Sequence, residues 1–172
     1  MTVPYPSSSS AKNLPLASAV PGDYLSLRLG AEEYGIEILK VQEIRSHEPT
    51  TRVAGAPAGV VGVLNLRGDI VPVIDLRERF GMAVGFGAET VTVVVNIAGK
   101  TVGLVVDSVS DVVPIAAAEI KAAPQFGGAA NSDHIIGIGC PRQGEHHRML
   151  ILLNIARLVA DGGLAPDPRA FH

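Results

Sequence analysis

The feature that most limits what this chain can become is the shortness of its apolar runs. Between residues 22 and 161 each stretch rich in Val, Ile and Leu ends after a few residues at Gly, Pro, Asn or Asp. Such punctuation leaves no room for long amphipathic helices and selects many short strands. With 47% hydrophobic residues in a 172-residue chain, the strands have enough apolar surface to close a core without metals or disulfides. The expected class is mainly β with short helices.

Local patterns place several elements. Tyr24 to Leu29 alternates apolar with polar, turns at Gly30-Ala31-Glu32-Glu33 and returns through Tyr34 to Ile38, which reads as a hairpin with solvated turn charges at Glu32 and Glu33. Thr90 to Asn96 turns at Ile97 to Lys100 into a second hairpin, expected to end where Pro114 removes a backbone donor. Asp75 and Asn154 stand where a side-chain oxygen would cap "LRERF" and "IARLVA". A third helical piece is expected from Pro57 through Gly62, with proline in the first turn.

The hairpins are related. Gly35, Ile36, Ile38, Val41, Glu43 and Ile44 have counterparts 68 positions later at Gly103, Leu104, Val106, Val109, Asp111 and Val112. Val73-Ile74-Asp75-Leu76 is echoed by Leu152-Leu153-Asn154-Ile155. Two matches in the same order imply two related halves, 22–88 and 89–161, each expected to form a small, nearly closed sheet. Residues 1–21 and 162–172, rich in Ser, Pro, Ala and Gly, read as flexible tails around this domain of residues 22–161.

Composition removes whole classes of function. A net charge of −3 and 18% charged residues offer no basic face for nucleic acid, and 4% aromatic residues with no Trp offer no stacking platform. No apolar stretch is long enough to span a membrane, and the single cysteine, Cys140, cannot form an internal disulfide, which fits a cytoplasmic protein. His134, His146, His147 and Cys140 are the conceivable metal or thiol residues, but adjacent histidines on a strand point to opposite faces and no ligand-type spacing supports a site. Gly137-Ile138-Gly139 lacks the rest of a phosphate loop and reads as a strand end, and Glu119 with Lys121 reads as a surface pair. No catalytic residue, cofactor or metal is expected.

What remains is suited to protein recognition. Glu43 two residues after Val41, and Asp111 two after Val109, would set an acceptor beside an apolar anchor on one strand face. Arg67, in the turn between "VLNL" and "IVPVIDL", can present a guanidinium to a carboxylate.

Four blocks, "YGIEILKVQEIR" from Tyr34, "NLRGDIVPVIDLR" from Asn65, "VGLVVDSVSDV" from Val102 and "RMLILLNIARLV" from Arg148, resemble the CheW coupling proteins of bacterial chemotaxis. The resemblance runs in order from about Asp23 to Ala160. It implies two five-stranded, SH3-like β-barrels packed around a shared apolar core. It also implies a non-catalytic adaptor, cytoplasmic and recruited to membrane-associated arrays. Such an adaptor binds the cytoplasmic tip of a methyl-accepting chemoreceptor and the regulatory domain of the histidine kinase CheA, with CheW–CheW contacts in rings. The alternative is a coupling protein of a related array controlling pili, surface motility or development. The receptor-binding positions implied here are Val41, Glu43, Gly62, Arg67, Val109 and Val112. Glu43 and Arg67 would pair with each other or with receptor charges, and Gly62 would allow two backbones to approach. The kinase-facing residues have no compact motif and are not assigned. Asp69 departs from the family pattern, where a neutral or basic residue is more usual, the last hairpin is longer, and the serine-rich leader is extended.

Overall fold

The computed structural model describes residues 19–56, 59–123, 134–142 and 148–160. Eleven strands are assigned among them: β1 (Gly22–Leu29), β2 (Glu32–Glu37), β3 (Val41–Ser46), β4 (Val60–Leu66), β5 (Asp69–Asp75), β6 (Val91–Ile97), β7 (Lys100–Val106), β8 (Ser108–Ile115), β9 (Ile120–Lys121), β10 (Ile135–Gly139) and β11 (Leu150–Leu153). Two short helices, α1 (Leu76–Arg79) and α2 (Ile155–Val159), follow β5 and β11. Both helices start where a cap was expected. The Asp75 carboxylate accepts from the amides of Arg77 and Glu78, and the Asn154 side chain accepts from Arg157.

The sheets run in the orders β8-β1-β2-β11-β10-β9 and β3-β6-β7-β5-β4. Matching the repeat onto them makes β8 equivalent to β3, β1 to β6, β2 to β7, β11 to β5 and β10 to β4, so five strands of each sheet follow the same order and the two-residue β9 adds a sixth to the first. The two sequence halves do not each close a sheet of their own. The β1–β2 hairpin of the first half pairs in parallel with β11 of the second, through Leu152 opposite Gly35. The β6–β7 hairpin of the second half accepts β5 of the first, through Val73 opposite Gly103. Each lobe therefore borrows a hairpin from the other half of the sequence.

Apolar side chains divide accordingly. One buried cluster takes Leu25, Leu27, Leu29 and Ile36 from the first sheet and Val93, Val95, Val102 and Leu104 from the second, with Leu158 of α2. This is the shared core, and Val41 and Val109 pack against it. Tyr24, Val113, Ile115, Leu150 and Leu152 form a separate core on the other face of the first sheet. Leu66, Val71 and Val94 do the same for the second.

Three local expectations are corrected. Val60, Val61 and Gly62 are in strand β4 rather than a helix; Pro57 and Ala58 lie outside the described residues. Those β-branched valines gain more from pairing with β5 than from a short, exposed helical turn. The second hairpin ends at Val106, and Pro114 lies inside β8. An edge strand tolerates a proline because one of its sides needs no donors. Glu119 does not pair with Lys121: its carboxylate accepts from the amides of Ala116 (2.8 Å) and Arg142 (2.9 Å), groups a turn would otherwise leave unpaired. Gly137-Ile138-Gly139 is strand, as expected.

Candidate functional site

The hairpin between β4 and β5 turns on two residues, Arg67 and Gly68, both with positive φ (53° and 93°). That turn matches strand twist, and it normally selects Asn or Gly at its first position. Asn65 steadies it by accepting from the Gly68 amide at 2.8 Å. Arg67 is held in the left-handed region at a backbone cost of about 1–2 kcal/mol. The strain aims its guanidinium at β3, where Nη2 donates to Glu43 Oε2 at 2.6 Å. Arg45 also reaches Glu43, at 3.4 Å, and Glu48, at 2.8 Å. The hydrogen bond from Arg67 holds the Glu43 carboxyl below its ordinary range, and Glu43 in turn raises the Arg67 guanidinium. Arg67 with Asp69, Ile70, Val63 and Lys100 lines an open, largely apolar groove of about 720 Å³.

The structure corrects the face assigned to Glu43. Pairing slips by one residue between Val41 and Glu43, so Val41 faces Val95 while Glu43 faces Val94. Val95 belongs to the shared core and Val94 to the core behind the sheet. A bulge at Gln42 therefore reverses the alternation, and Val41 and Glu43 lie on opposite faces of β3. Ile44, opposite Val93, is the residue that shares the face of Val41.

The same device recurs on β8. Val109 faces Leu27 and Val112 faces Leu25, three residues against two, so both valines share the shared-core face. Asp111 turns the other way, to Arg148 (3.1 Å), which also reaches Glu33 and the buried Ser26. Glu33 is thus a paired group, not a solvated turn charge, because the Arg148 hydrogen bond and Ser26 at 2.6 Å both favour its ionised form. Asp111 is the repeat counterpart of Glu43, so both copies pair an acid on the edge strand with an arginine, although Arg148 aligns with Asp69 rather than with Arg67.

Glu43 and Arg67 are bonded; Val41 and Val109 pack on one core; Val112 is 48% exposed on β8, an edge strand among the described residues. Gly62 is buried, and a Cβ there would meet the Thr51 carbonyl oxygen at 2.5 Å, so its part is the close approach of two segments. Sequence reasoning missed Arg77, which is fully buried. It forms a fork with Asp75 at 2.9 Å, bonds Asp107 at 2.8 Å and the Gly85 carbonyl, and lies 5.0 Å from the centre of the Phe86 ring. Only a neighbouring Asp-x-Arg hinted at this, since Asp107 is remote in sequence.

Among the described residues no group of His, Cys, Asp and Glu could hold a metal ion. His134 is buried and Cys140 is a partly buried free thiol, whereas His146 and His147 lie outside the described residues.

Residues 23–162 match the family model of the CheW-like domain. The chain belongs to the CheW-like family. It is 45% identical over 144 residues to the chemotaxis protein CheW of Klebsiella aerogenes, covering 83% of this chain and 84% of that protein. It is 31% identical over 141 residues to CheW of Treponema pallidum, covering 79% and 81%. The scaffolding protein TtCheW from Thermoanaerobacter tengcongensis superposes with a TM-score of 0.69 at 31% identity, over 78% of this chain and 90% of that one. The two-lobed, SH3-like architecture is that of the CheW fold. No helix among the described residues is long and apolar enough to cross a membrane.

Proposed function

We propose that this chain is a non-catalytic adaptor that couples methyl-accepting chemoreceptors to the regulatory domain of the histidine kinase CheA. The observation that carries the reading is the family match over residues 23–162, with relatives named as chemotaxis proteins and a like-folded protein described as a scaffold. The site geometry supports it. β3 and β8 are both edge strands among the described residues, so a helix laid along either reaches apolar residues on one face and a charged group on the other.

In this reading Val41, Val109 and Val112 supply apolar contact to the receptor helix. The Glu43–Arg67 pair fixes register more than it adds affinity. Gly62 acts indirectly, by letting the segment through Thr51 close over β4. The adaptor works in the cytoplasm at receptor arrays, where coupling shifts populations in a preassembled complex. Arg67→Ala should weaken capture of a receptor cytoplasmic tip while leaving the thermal transition in place. Unchanged capture would remove Arg67 from the site.

A second reading is favoured by the match to Protein FrzA of Myxococcus xanthus, 25% identical over 138 residues. Here the same coupling serves a related array that controls pili, surface motility or development. Co-purification with the kinases of the same cell separates the two readings, because the kinase recovered identifies the array.

A further inference from the structure

The chain crosses from the second sheet to the first at Asp107, between β7 and β8, and this crossover is locked. The Asp107 amide donates to the Arg28 carbonyl at 3.1 Å. Its Oδ2 accepts from the Gly30 amide at 2.7 Å, and its Oδ1 accepts from Arg77 Nη1 at 2.8 Å. Arg77 is in turn forked onto Asp75 at the end of β5. One buried cation thus joins the second sheet, α1, the loop at Gly85 and the β1–β2 turn at the point where β8 begins.

The repeat provides an internal control. Asn154 caps α2 as Asp75 caps α1, yet the residue matching Arg77 is Ala156, so a helix of this kind forms without the guanidinium. The residue matching Asp107, 68 positions earlier, is Leu39 in the β2–β3 crossover; it is 93% exposed. Capping and the fold of a lobe account for what the two copies share. They do not account for the lock found at only one of the two crossovers.

We propose that Arg77 is a positioning residue for partner binding: through Asp107 it holds the start of β8, and with it Val109 and Val112, at a fixed place beside the shared core. Val109 is two residues from the lock, and the bulge that turns both valines onto one face follows directly. Fixing that wall before binding removes an ordering cost from recognition. The inference rests on the proposed receptor-binding role of Val109 and Val112.

Asp107 is the residue to change, because its side chain is one-third exposed and its loss leaves Arg77 still forked onto Asp75. Affinities of the full chain and of its Asp107→Asn and Asp107→Ala variants are measured for a receptor cytoplasmic tip and for the kinase regulatory domain, alongside hydrogen exchange. Asp107→Ala should weaken receptor binding roughly fivefold and speed exchange at the start of β8 but not in β3, with kinase affinity unchanged. Asp107→Asn, which keeps an acceptor for Gly30, should fall between. Arg77→Lys should show the same pattern in weaker form. Equal receptor affinity in all variants, or parallel loss of receptor and kinase binding with a lowered Tm, overturns the proposal. Failure of the unmodified chain to bind any receptor tip overturns the functional reading as well.

Discussion

Replacing Arg67 by asparagine should separate folding from recognition at the β4–β5 turn. Arg67 occupies a left-handed position (φ 53°) that asparagine adopts readily, so the change relieves up to about 1 kcal/mol of backbone strain. It also removes the Glu43 ion pair, but Arg67 is 62% exposed there and solvent screening leaves that pair little weight in stability. The net expectation is a Tm unchanged or raised by about 2–4 °C, together with weakened receptor capture. Thermal unfolding by circular dichroism and titration with a receptor cytoplasmic tip measure the two effects on the same preparation. A lowered Tm would mean that the Arg67–Glu43 pair holds the fold, and undiminished receptor affinity would mean that the strain serves something else. Either result refutes the argument that the turn accepts an unfavourable residue for the sake of a partner.

Other substitutions probe the frame around this site. Gly62→Ala should destabilise the chain by about 2–4 kcal/mol in urea unfolding, because the new Cβ meets the Thr51 carbonyl oxygen at 2.5 Å and φ is +153°. Arg77→Met should cost about 3–5 kcal/mol by leaving the buried Asp75 without its cation, and equal stability would show that the pair is dispensable. Glu33 has a folded pKa below the ordinary 4.5, chiefly through Arg148, so its contribution is complete above that value and is lost as pH falls through the lowered one. Unfolding followed from pH 6 downward should therefore show a shallower acid limb in Glu33→Gln than in the parent.

What was readable in the sequence was local. Alternation and turn residues identify the hairpins at Gly30 and Gly99, and a single oxygen-bearing side chain before each helix identifies the caps at Asp75 and Asn154. The repeat also identified which strands correspond, yet it could not say which strands pair. The parallel contacts of Gly35 with Leu152 and of Gly103 with Val73 join residues far apart in sequence, and equal repeats fit exchanged and unexchanged hairpins alike. The bulges at Gln42 and near Ser110 leave no mark on composition, so two-residue spacing put Glu43 on the wrong face. Arg77 was obscure for a similar reason: its partner Asp107 becomes a neighbour only after β7 returns beside β5.

The claim that the chain is a coupler is tested most directly by capturing a tagged CheA regulatory domain and measuring how much receptor cytoplasmic tip is retained, with and without the chain. Receptor should be retained when the chain is present and lost when it is omitted, with Arg67→Ala giving intermediate recovery. Equal receptor recovery in the presence and absence of the chain would contradict the account.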